Sequence, residues 1–113
     1  MSNFLKLECK DREYLIGFSN RKAAINAEKR GLMKSIQNIT TEPITAQANI
    51  LLCGLLEKQP DITFERTLDI LGEIQEQNID MEDIFNFLAE QYTNFSSPQV
   101  SSKKKKKLQI VEM

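Results

Sequence analysis

The most versatile chemical side chain is missing: this 113-residue chain contains no histidine. That removes the commonest general base and the commonest metal ligand. Tryptophan is also absent. Cys9 and Cys53 are far apart, each in an apolar pattern, and so form neither a C-x-x-C redox motif nor a metal site. They read as free, buried thiols of a reducing compartment. Asp69 and Glu73 stand one helical turn apart, a spacing that could pair an acid with a base, but their neighbours are those of a solvated charged face. Asp80, Glu82 and Asp83 lack the alternating ligands, central glycine and distal glutamate of a calcium loop. Their ordinary use is at the start of a helix, where carboxylates favour the dipole. Gly17, Gly31, Gly54 and Gly72 are isolated, so no phosphate-cradling loop exists, and no Ser, Cys or Lys has a histidine partner. No catalytic, cofactor-binding or metal-binding residue is expected, and function falls to surfaces.

Two features could carry binding. Lys103, Lys104, Lys105, Lys106 and Lys107 form a run that attracts polyanions in a salt-dependent way, or acts as a localisation signal, or is simply solvated. Residues 1–102 carry 10 basic and 15 acidic side chains, whereas residues 103–113 carry five lysines and one glutamate. With an acidic body and no aromatics among the lysines, nucleic acid is not the expected partner. The second feature is aromatic. In the last predicted helix Met81, Ile84, Leu88, Tyr92 and Phe95 form the buried stripe, with Phe85 at its margin and Phe87 well outside it. Phe87 is the best single anchor for a partner, and Phe85, Phe87, Tyr92 and Phe95 are the candidate partner-binding set.

These residues must be positioned by a small core, for the length fits one domain. Its centre is the stretch Ile44 to Lys58, apolar on nearly every side, which must therefore be covered on every side. It is too short to cross a bilayer. Thr40, Thr41 and Glu42 can cap it, Pro43 suits its first turn, and Gln59, Pro60 and Asp61 stop it. Ahead of it, period-two alternation on both sides of Lys10-Asp11 predicts a β-hairpin over residues 4–18, with Leu7 opposite Tyr14 and Leu5 opposite Ile16. Whether its edge recruits another copy by strand addition is open at this level.

Ser19 or Asn20 caps a helix from Arg21 to Arg30 whose Ala23, Ala24 and Ala27 allow close approach, and Gly31 stops it. The span Leu32 to Thr41 reads equally as helix or as loop. Thr63 caps an amphipathic helix, Phe64 to Glu76, with Phe64, Leu68, Ile70, Leu71 and Ile74 facing inward. Asn78 ends it, Asp80 starts the next, and Ile79 is placed to staple against Ile84. The fold class is mainly α: a helical domain over residues 1–97, with the hairpin docked on about four helices, and a flexible, basic tail over residues 98–113. The N-terminus has neither a signal peptide nor a membrane anchor pattern, so a cytosolic protein is expected.

This order of elements resembles the tail assembly chaperones of long-tailed phages and prophages of Gram-positive hosts. The resemblance spans residues 4 to 95, with FLKLECKDREYLIGF and NIDMEDIF its most suggestive segments. It implies a non-enzymatic protein of the bacterial host cytoplasm that coats the tape measure protein until major tail subunits, a second partner, polymerise around it. It also gives the lysines a different meaning. In that family the short chaperone shares its frame with a longer product of programmed ribosomal frameshifting. Lys103 to Lys107 must be encoded by AAA or AAG codons, a run that can contain a slippery heptamer. The competing reading is a small nucleic-acid-binding or transcription regulatory protein that uses the basic tail, with Arg21, Lys22, Asn26, Lys29 and Arg30 on its candidate recognition helix. A homo-oligomer is a further expectation, because so small a domain has little with which to cover an all-apolar helix.

Overall fold

A computed structural model describes residues 4–96. Strands β1 (Leu5–Glu8) and β2 (Glu13–Ile16) form the antiparallel hairpin, with Leu5 opposite Ile16 and Leu7 opposite Tyr14. The Cys9 amide donates to the Arg12 carbonyl at 2.9 Å, which closes the turn around Lys10 and Asp11. Alternation places Leu7, Tyr14 and Ile16 on one buried face, as period two requires.

Five helices follow among the described residues. Helix α1 (Arg21–Lys29) is capped by Asn20, whose side chain accepts from the Ala23 amide. Gly31, at φ 84°, turns the chain through the left-handed region that favours glycine. The span with two readings becomes α2 (Leu32–Gln37), a six-residue helix in which Leu32 is buried while Met33 and Ile36 are exposed. Helix α3 (Pro43–Leu55) is the centre of the fold: it touches α1, α2, α4, α5 and β2. Ala46, Ala48 and every residue from Ile50 to Leu55 are buried.

Three details of α3 differ from the sequence reading. The helix ends at Leu55, short of the expected Lys58. No side chain caps its start: Glu42 holds the cap position without a side-chain bond, and Thr41 donates its hydroxyl to the Asn38 carbonyl; Pro43 at the first turn already removes one unpaired N–H. Ile44 is 69 % exposed. The first turn of α3, Pro43 to Thr45, projects beyond the elements that cover the rest.

Helix α4 (Phe64–Glu76) has the predicted bounds and the predicted cap, with Thr63 accepting from the Arg66 amide. Its buried face is Thr67, Ile70 and Ile74; Phe64 and Leu68, expected inside, are exposed. Thr67 can take an inner position because its hydroxyl donates to the Thr63 carbonyl at 2.8 Å. At the far end Asn78 takes φ 60°, the Ile79 amide donates to the Ile74 carbonyl, and the Asn78 amide donates to the Gln75 carbonyl. That pair of bonds is a Schellman stop with asparagine at its left-handed position. Helix α5 (Met81–Ser96) begins where Asp80 accepts from the Glu82 amide at 2.9 Å.

Besides the buried face of Leu7, Tyr14, Ile16 and Phe18, side-chain hydrogen bonds hold the hairpin on this helical body. The Gln59 side chain both accepts from the Leu15 amide and donates to the Leu15 carbonyl, each at 2.9 Å, and also donates to the Leu55 carbonyl. It imitates a strand on the outer edge of β2. The Gly17 amide donates to the Gly54 carbonyl at 2.8 Å, and buried Gln91 accepts from the Phe18 amide at 2.6 Å. The edge of β2 is thus occupied at Leu15 and just beyond the strand, which answers the question of strand addition there.

Candidate partner-binding site

An apolar concavity lies between α2 and α5. Leu32, Met33 and Ile36 form one wall with Ile39 beside them, Phe85, Ala89 and Tyr92 form the other, and Ile50 and Leu88 form the floor. Its volume is about 370 Å³. Local structure explains each wall. A six-residue helix has too few turns to bury all its apolar side chains, so α2 turns Leu32 inward and leaves Met33 and Ile36 in solvent at 45 % and 40 % exposure. On α5, residues 85, 89 and 92 recur at helical spacing beside the fully inward positions Ile84 and Leu88, so they form the shoulder of the stripe.

Among the described residues no charged side chain lines the groove, but exposed charges stand close to it on both helices. On the α5 side Glu82 and Glu90 stand one turn to either side of Asn86, which lines the groove, and Asp83 lies beside them; all three acids are exposed. On the α2 side the exposed Lys34 is next to Met33. Tyr92 keeps its hydroxyl out of the apolar floor by donating to Glu28 of α1 at 2.6 Å.

Two of the four aromatic candidates, Phe85 and Tyr92, meet in this groove. Phe87 and Phe95 do not line it. Phe87, expected to be an exposed anchor, is half-buried against the core, as is Phe95. Gln91 is buried together with Ile84 and Leu88, so the covered face of α5 extends toward the side on which Phe87 stands. Met33 and Ile36 were missed because they fall in the span that read equally as helix or loop. Lys103 to Lys107 lie outside the described residues, as does the predicted tail from residue 98 onward.

Other surfaces fit binding or catalysis less well. A depression of about 550 Å³ beside α1 is lined by Lys22, Lys29 and Arg30 but also by Glu57. Glu57 accepts from both the amide and the hydroxyl of Ser19 and so ties the end of the hairpin to α3. Helix α1 is preceded by the hairpin, not by a helix, so it is not the second helix of a helix-turn-helix. A smaller hollow of about 290 Å³ contains Asp11, Tyr14 and Arg66. There Arg66 donates to Asp11 and, at 3.0 Å, to the Tyr14 hydroxyl, clasping the hairpin turn to α4. Glu73, one of the paired carboxylates, accepts from the Lys10 amide at 2.7 Å in the same clasp, while Asp69 pairs with Arg66 at 3.8 Å.

Both thiols are free; Cys53 is buried, whereas Cys9, expected to be buried as well, is only half-buried. Burial pushes Cys53 up to about 11, and burial, then the Glu73 and Asp11 carboxylates, do the same to Cys9 against an opposing effect of Arg66. Neither is a nucleophile near neutral pH. Among the described residues no cluster of three or more potential metal ligands exists, and no helix is long and apolar enough to cross a membrane. No family model, curated protein or solved structure matches the chain.

Proposed function

We propose that the protein is a phage tail assembly chaperone whose groove between α2 and α5 takes the apolar face of an amphipathic segment of the tape measure protein. The observation that supports this reading is the groove itself: an apolar floor with Met33, Ile36, Phe85 and Tyr92 around it, open to solvent. Such a groove suits helix-in-groove recognition, in which side chains at i, i+3, i+4 and i+7 enter together. The resemblance of residues 4 to 95 to the chaperone family names the partner. Each contact is weak, and repetition along a long partner supplies avidity. The lysine run then reflects a slippery message from which a longer product is also made.

The test is co-expression with the long helical protein encoded downstream. Wild-type chain is expected to keep that protein soluble and to co-purify with it, whereas Ile36→Asp is expected to lose both effects. Equal rescue by wild type and variant, or rescue by neither, would count against the groove. The coding DNA gives an independent check: an A-rich heptamer across Lys103–Lys107 with an open −1 frame is expected, and its absence would remove the frameshift.

A further inference from the structure

The charges beside the groove describe the ligand it prefers. Glu82, Asp83 and Glu90 on the α5 side are exposed and have no ion-pair partner among the described residues, so a cationic stretch lying along α5 would neutralise them. Beyond it, a ligand needs a few apolar side chains for the floor at Ile50 and Leu88. The chain carries such a sequence in itself: Lys103 to Lys107 run straight into Leu108-Gln109-Ile110-Val111-Glu112-Met113. Four apolar side chains in six residues are too few to build an element of a core but enough for a groove of about 370 Å³, near the small end of the usual range for binding pockets.

We infer that residues 108–113 are a ligand of the groove in the same molecule, with Lys103–Lys107 lying along the acidic side of α5. The reach is ample. Tyr92 and Thr93, which line the groove, are within one turn of Ser96 at the end of α5. The 11 residues 97–107 span up to roughly 36 Å when extended. A linker of this length holds the segment at an effective concentration in the millimolar range, so even a weak ligand is occupied part of the time. The regulatory consequence rests on the chaperone reading: a tape measure segment must displace residues 108–113. A chain lacking them binds that partner tighter by roughly 2- to 10-fold, the inverse of the fraction of open groove.

The experiment uses no partner protein, so its outcome is separate from that of the co-expression test. Amide chemical shifts of Met33, Ile36, Ala89, Tyr92 and Thr93 would be compared by NMR in the full chain, in the full chain with Ile110→Asp, and in a chain stopped after Lys107. The two altered chains are expected to differ from wild type at these amides, in the same direction and at every protein concentration. A synthetic peptide of residues 103–113 added to the shortened chain should move the amides back toward the wild-type positions. Coincident spectra at the groove in all three chains would overturn the inference. So would differences that vanish on dilution, which would assign the ligand to a second molecule.

Discussion

At the scale of single residues, Gln59 decides more than any charged group. Its amide serves the Leu15 amide, the Leu15 carbonyl and the Leu55 carbonyl at once. A glutamine beside Pro60 reads in sequence only as the end of a helix, since nothing local says that a strand 44 residues earlier will present its edge to it. Gln59→Leu keeps the bulk and leaves the Leu15 amide and carbonyl without their partner, while the Leu55 carbonyl still accepts from the Gln59 backbone amide, so a loss of about 2 kcal/mol is expected. It is measurable by urea unfolding, with faster hydrogen exchange at Leu15 as the local signature; unchanged exchange there would show that water replaces the side chain. Cys53 makes the second prediction. Its folded value, about 11, lies above the ordinary 9.0. The neutral thiol is therefore favoured in the fold, and this contribution is whole below pH 9 and lost as pH rises through 11. In that window the unfolded chain holds fewer protons than the folded one, so stability falls, by at most about 1.4 kcal/mol per pH unit for this group. Denaturation between pH 8 and 11 should show a shallower decline in Cys53→Ala than in wild type.

At the scale of elements, α3 crosses β2 and α5 at a distance set by a glycine. A Cβ on Gly54 would stand 2.8 Å from Leu88 Cδ2 and 2.9 Å from Ile16 Cγ2, and both neighbours are fully buried or nearly so. Gly54→Ala would gain about 1 kcal/mol of helix propensity. Overpacking of this kind costs about 1–3 kcal/mol; Ile16 is fully buried, and Leu88 can shift only toward the groove whose floor it forms. A net loss of stability is expected, read as a lower unfolding midpoint; a rise would mean that Leu88 changes rotamer at little cost. The other elements are less constrained by sequence than they look. Thr63 and Asn78 bound α4 on local chemistry alone, yet which side of α4 faces inward was decided by its neighbours, with Thr67 taking an inner position and Phe64 and Leu68 left outside.

At the scale of the whole molecule, the uneven cover of α3 creates the groove. A short α2 on one side and a long α5 on the other leave Ile50 and Leu88 as a floor between them. Because Ile36 is 40 % exposed, Ile36→Asp gives up only part of the burial of a core isoleucine and is expected to cost about 1–2 kcal/mol, less than truncation of a fully buried one. Partner binding should fall at the same time. A large loss of stability would show that Ile36 belongs to the core and would deprive the binding result of its meaning.

The sequence by itself determined the elements: the register of the hairpin, the bounds and cap of α4, the asparagine stop before α5 and the buried centre of α3. These follow from period, capping chemistry and backbone freedom, all of which act within a few residues. Tertiary structure alone decided which apolar side chains remain in solvent. Phe87 is half-covered against the core, whereas Met33, Ile36, Ile44, Phe64 and Leu68 stay outside, because burial depends on the lengths and crossing of neighbouring helices. It also chose the polar anchors Gln59, Gln91 and Glu57. A side-chain amide or carboxylate finds a backbone partner 38 to 73 residues away only once the chain has folded, and no spacing in the sequence encodes that meeting.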